Sequence, residues 1–194
     1  MNRNIARALF VFLMPLALSL PALGQSKTAE APKAETPKAD APKAPPAARP
    51  ADVDTVEHII GAVYDSISGP AGPRDWDRFR SLFFMGGKMI PSGRNPEGKI
   101  YSVTWGVEDY VQHAGDYFTK NGFFESPVAN RIESWDHIAH VWSTYESRHA
   151  KDEKPFARGI NSFQLLHDGS RWWILSIYWE GEEAAHPLPD KYLK

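Results

Sequence analysis

The chain has 194 residues, a formal charge of −2, 42% hydrophobic residues and no cysteine. A near-neutral balance excludes the broad basic footprint of a nucleic-acid binder. The missing thiols exclude a cysteine nucleophile, a thiolate metal site and a disulfide-stapled mini-domain, so whatever folds is held by its core.

The N-terminal stretch Met1 to Gly24 carries Arg3 and Arg7, then an apolar run from Ala8 to Leu20, then Ala22-Leu23-Gly24. That is the charge, apolar and small-residue order of a secretory signal. The run is shorter than the roughly 20 apolar residues a membrane span needs. A cleavable signal is therefore expected, with no stable membrane insertion afterwards and a periplasmic or secreted protein. Over 25–52 the chain is Ala, Pro, Lys and Glu in near-repeats, APKAETPKADAPKAPP, and no large apolar residue occurs between Leu23 and Val53. Such a segment cannot bury enough surface to offset its ordering entropy, which predicts a disordered linker. One folded domain is expected over 53–194.

Within it, Val53, Val56, Ile59, Ile60, Val63 and Ile67 recur at helical spacing, with Asp52 or Asp54 as the cap and Ser68-Gly69-Pro70 as the stop. The connector GPAGPRD lacks the lysine and hydroxyl residue of a phosphate loop, and its prolines remove amide donors. A second helix is expected over Asp75 to Phe84, ended by Gly86-Gly87. Lys88 to Pro91 and Lys99 to Trp105 read as a strand pair. A third helix over Val107 to Lys120 shows the stripe Val107, Tyr110, Val111, Ala114, Tyr117 and Phe118. Strands follow over Phe123 to Glu133 and His137 to His149. Last comes a hairpin, Ala157 to Glu180, turning at Asp168-Gly169. A two-residue turn there sets Leu165 opposite Trp172, Phe163 opposite Ile174, Asn161 opposite Ser176 and Gly159 opposite Tyr178, all on one face. The other face then carries Trp173, Leu175, Ile177 and Trp179.

Helix, helix, strand pair, helix and four antiparallel strands describe an α+β domain. That order, with DGSRWWI and a closing aromatic strand, resembles the nuclear-transport-factor-2-like superfamily. Ketosteroid isomerase, scytalone dehydratase, limonene epoxide hydrolase and the SnoaL-type polyketide cyclases share this cone-shaped, cystatin-like fold. The phrases ISGPAGPRDWDRFRSLF, HVWSTYESR, EKPFARGINSFQLLHDGSRWWILSIYW and LPDKYL look like a group of exported bacterial members whose activity is not established. The resemblance implies three helices on a curved antiparallel sheet. It also implies a pocket between the concave sheet face and helices one and three, and homodimers formed through the outer sheet face.

Candidate pocket residues are Tyr64 on the first helix, His113 and Tyr117 on the third, and Asn161, Ser176 and Tyr178 on the hairpin. Asp109, His113 and Tyr117 follow at four-residue spacing, so a carboxylate can hold the histidine tautomer for general-base work. An exposed ion pair on the helix surface explains the same spacing. Tyr64 can donate to a developing oxyanion or keep its hydroxyl in water. None of the enzymes' catalytic sets transfers residue by residue, and the inward hairpin face holds no acid. His137 and His140 fall on opposite faces of a strand, so no metal and no cofactor is expected. Two classes remain open: a module binding a small apolar or amphipathic ligand, and a small-molecule isomerase, lyase or hydrolase. A structural dimerisation module is the third alternative. The aromatic outer face favours a homodimer, while the tail HPLPDKYL offers another cover for it.

Overall fold

A computed structural model describes residues 44–194. The expected signal segment and most of the expected linker lie outside these residues. The domain begins earlier than the apolar pattern alone suggests. Ala48 packs against the core, Pro50–Asp52 forms a short 3-10 turn, and Arg49 bonds Asp75 at 2.9 Å.

Helix α1 (Val56–Ile67) is capped by Thr55, whose hydroxyl accepts from the amide of His58 at 3.1 Å. Neither aspartate takes that role. Buried Asp52 instead accepts two bonds from the Arg78 guanidinium, each 2.8 Å, while Asp54 pairs with His58. Helix α2 (Trp76–Ser81) is capped by Asp75 and is shorter than expected, because Phe83 already belongs to β1 (Phe83–Arg94). Gly86 and Gly87 do not break a helix. They lie inside β1 where its register against the neighbouring strand jumps, and Gly86 sits at φ +85°, a conformation that favours glycine. Strands β2 (Ile100–Ser102) and β3 (Trp105–Gly106) both pair with β1. Helix α3 (Val107–Lys120) then leads into β4 (Phe124–Trp135), β5 (Ile138–Arg148), β6 (Ala157–His167) and β7 (Trp172–Gly181).

The sheet order is β2-β1-β7-β6-β5-β4. Its last four strands are antiparallel, as expected, but β1 runs parallel to β7, so the sheet is mixed rather than wholly antiparallel. Helix α1 packs over β4, and α3 packs over β1 and β3. Phe79, Leu82, Phe83, Val141, Phe163, Leu165 and Ile174, all buried, fill the space beneath.

The closing hairpin differs from the expected register twice. Its loop is four residues long, because His167 rather than Leu165 faces Trp172. Asp168 holds that loop, one carboxylate oxygen accepting from the amides of Ser170 (2.8 Å) and Arg171 (3.0 Å). An irregularity then leaves Leu175 without a partner, since Leu165 faces Ile174 and Gln164 faces Ser176. One extra residue flips every later side chain of β7 to the opposite face. Ile177 and Trp179, expected outside, therefore join the core, and Tyr178 turns outward with 43% of its surface exposed.

Candidate functional site

The inner face of the sheet changes character along its length. On β5 the inward residues run Ala139, Val141, Ser143, Tyr145 and Ser147, all buried. The first two meet the apolar core; the last three meet polar partners. Tyr64 of α1 shares a 2.6 Å hydrogen bond with Ser143, and the Asn161 amide on β6 donates to the Tyr64 hydroxyl at 3.1 Å. This buried triad links the helix to two strands.

Beside it stands Glu125, the second residue of β4 and the register partner of Ser147. Its backbone is tied to the end of α1: the Glu125 amide donates to the Ser68 hydroxyl at 2.9 Å, and that hydroxyl donates to the Glu125 carbonyl. Its carboxylate accepts one hydrogen bond, from the Ser147 hydroxyl at 2.7 Å. The residue is half-buried, and its carboxyl group is turned with Ser147 to the inner side of the sheet. Burial pushes the Glu125 pKa up to about 7, against the opposing pull of the Ser147 bond, and no cation acts on it.

Three tyrosines feel this carboxylate. Burial raises the phenols of Tyr64, Tyr110 and Tyr145, and the Glu125 charge raises each further. Tyr64 is hydrogen-bonded; the hydroxyls of Tyr110 and Tyr145 make no hydrogen bond among the described residues. Tyr145 lies over Gly159, where an added Cβ would sit 2.4 Å from the phenol oxygen. The space left by that glycine is occupied by this ring. Aromatic rings continue outward from Tyr110, edge-to-face with Trp179 at 6.3 Å, and Trp179 is 6.5 Å from Trp105.

The expected site residues divide accordingly. Tyr64 and Asn161 come together in the buried triad. Tyr117 is half-buried on α3, edge-to-face with Phe123 at 6.4 Å. His113 is exposed and does not pair with the Asp109 carboxylate, which accepts from the Gly106 amide at 2.8 Å and closes the first turn of α3. The His113 ring stacks on Trp105, and its Nδ1 lies 2.6 Å from the Asp109 backbone oxygen. A carbonyl only accepts, so that nitrogen carries the hydrogen. Ser176 and Tyr178 are turned out of the cone by the irregularity in β7. Glu125 went unnoticed, because the facing of β4 and β5 could not be read from their alternation. Among the described residues no three His, Asp or Glu side chains come together as a metal site.

The GPAGPRD loop is a rigid connector. Arg74 donates to the carbonyls of Ile67 (2.8 Å), Pro70 (2.8 Å), Gly69 (2.9 Å) and Gly72 (3.0 Å) and lies over the Phe118 ring. On the outer sheet face the C-terminal tail folds back. Tyr192 packs 5.6 Å from Trp142, and its backbone oxygen accepts from Thr144. His140 is on this face too, 3.1 Å from Ser162 and far in the topology from His113.

A mixed sheet packed against three helices is similar to the fold of solved structures. A protein of unknown function with a cystatin-like fold from Nostoc punctiforme matches with TM-score 0.51 at 13% identity, covering 66% of this chain and 90% of that one. This chain has a cystatin-like fold. A protein from Kribbella flavida shares the fold at TM-score 0.50 and 13% identity, over 67% of this chain and 91% of that one. A proposed dehydratase of the NTF2-like family from Streptomyces avermitilis gives TM-score 0.47 and 11% identity, over 66% and 94%. No family model and no curated protein matches the sequence. The likeness extends to the fold alone, and the site must be read from its own residues.

Proposed function

We propose that the domain binds a small amphipathic molecule in its cone, with Glu125 as the polar anchor and Tyr64, Tyr110, Tyr145 and Trp179 as the lining. One observation carries this reading: a buried carboxyl among tyrosines which, among the described residues, has no cation beside it and two neighbouring hydroxyls without partners. A core built only for stability has little use for such a group, because burying an unneutralised acid costs several kcal/mol at order of magnitude. Small-molecule sites have the opposite need, a few polar groups in an apolar lining. Outside the cone, Leu175 and Tyr178 stay exposed on the sheet and support a homodimer through that face.

A second reading rests on the titration of Glu125. An acid poised at about 7 exchanges a proton efficiently at neutral pH, and a tyrosine hydroxyl beside it can donate to a developing oxyanion. That is the equipment of an isomerase or lyase acting on a bound small molecule.

Native mass spectrometry of the chain purified from its own source reads ligand and stoichiometry together. A retained adduct of small mass is expected in the wild type, lost in Tyr110→Ala, on a dimer. A chain that carries no adduct, and shows no shifted Tyr110 or Tyr145 signals in an NMR screen of small molecules, would remove the ligand reading.

A further inference from the structure

The charge of the ligand can be read from what surrounds the Glu125 carboxyl. Among the described residues the cations in this part of the molecule have another partner or another face, Lys151 lying over the Phe124 ring at 5.9 Å. Arg74 is committed to the backbone carbonyl of Ile67 at the end of α1, to three carbonyls of its own loop and to the Phe118 ring. On the outer face, Arg148 bonds Glu146 at 2.6 Å, and Arg158 makes two bonds to Glu182, at 2.6 and 2.9 Å. Among the described residues the one group that pulls the Glu125 pKa back toward its ordinary value is the neutral Ser147 hydroxyl.

We propose that the cone takes a ligand bearing an ammonium group, seated on the Glu125 carboxylate among Tyr64, Tyr110 and Tyr145. This rests on the reading that the cone holds a ligand at all, and it names the class of that ligand. Three features converge. An anion entering the cone meets an enclosed carboxylate and no compensating cation, so repulsion in a low-dielectric space excludes it. A neutral group leaves the desolvation of Glu125 unrelieved, whereas an ammonium neutralises it by a charge-assisted hydrogen bond. The remaining wall is aromatic, and the faces of Tyr and Trp rings attract cations. The hydroxyls of Tyr110 and Tyr145, without partners among the described residues, can accept the other N–H groups.

The test uses three probes with one ring and three charges: benzylammonium, benzyl alcohol and benzoate. Binding to the full chain is followed by NMR on the alkaline side of the Glu125 titration. Benzylammonium is expected to bind at least about tenfold tighter than benzyl alcohol, the scale of a desolvated cation–π and ion-pair contact, and benzoate weakest. In Glu125→Gln the preference for ammonium over alcohol should fall to within about twofold. Should that variant not fold, the wild-type carboxyl supplies a second readout: benzylammonium lowers its titration midpoint and benzyl alcohol does not. Benzyl alcohol or benzoate binding as tightly as benzylammonium overturns the ammonium class and leaves a cone ligand standing. If none of the three binds, both readings fall.

Discussion

The two ends of the cone share one sheet face and follow opposite physics. At one end Phe79, Phe83, Phe163, Leu165 and Ile174 close on each other with 2% or less of each exposed. The ring centres of Phe79 and Phe83 lie 4.9 Å apart. At the other end the same sheet face presents Ser143, Tyr145, Ser147 and Asn161 around an acid. The first end gains stability from apolar burial, about 25 cal/mol per Å2 removed from water. The second surrenders some of that gain by enclosing a carboxyl whose ionised form it disfavours. A fold that keeps such a cost at one end, while packing the other solidly, separates its stability from its chemistry.

The contrast can be broken most strongly at the apolar end. Phe163 has no exposed surface, so Phe163→Ala leaves a cavity and should destabilise the domain by about 3–5 kcal/mol in urea unfolding. A loss under about 1 kcal/mol would mean this end is loosely packed, and the comparison would lose its first half. The polar end predicts a smaller effect with a pH signature. The Glu125 pKa rises from 4.5 in the unfolded chain to about 7 in the folded one. Between those values the folded state holds a proton that the unfolded state has released. Its contribution is whole below 4.5 and is lost as pH climbs through about 7. Wild-type stability should therefore fall by roughly 2–3 kcal/mol between about pH 5 and about pH 8, at order of magnitude. Glu125→Gln should flatten that slope in denaturant titrations across the range. An unchanged slope in the variant assigns the pH dependence to another group.

How much of this was legible in the sequence follows the strength of local patterning. Helix α3 matches its expected bounds, because a 3.6-residue stripe and a terminal Asn-Gly define it. Tyr64 and Asn161 were identifiable as polar residues on apolar faces. What the sequence hid was set by register. Leu175, a single residue without a cross-strand partner, reverses the facing of Ser176, Ile177, Tyr178 and Trp179, and period-two reasoning passes straight through it. The parallel pairing of β1 with β7 joins residues 83 and 174, far beyond any local signal. Glu125 was invisible for the same reason. It becomes a site residue only when β4 is laid against β5, with Ser147 opposite it. The signal available was the inward run Val141, Ser143, Tyr145, Ser147, which turns polar just where an inward acid on the neighbouring strand would need donors.

Ser147 tests the polar end with the smallest expected effect. Its hydroxyl donates to the Glu125 carboxylate at 2.7 Å, and this bond is the one influence that holds the acid below the value burial alone would set. The donor prefers the charged acceptor, so removing it favours the protonated acid. Ser147→Ala should move the Glu125 titration midpoint upward, read from the carboxyl carbon signal by NMR. The cost to the domain should be about 1 kcal/mol, the typical net worth of one intramolecular hydrogen bond after water takes part. The sign separates two views of the site. If the midpoint rises, Glu125 is an enclosed acid tuned by its strand partner, as an anchor or proton-exchange group must be. If it falls, water reaches the carboxyl once the serine is gone, and the polar end is a solvated rim rather than the floor of a cone.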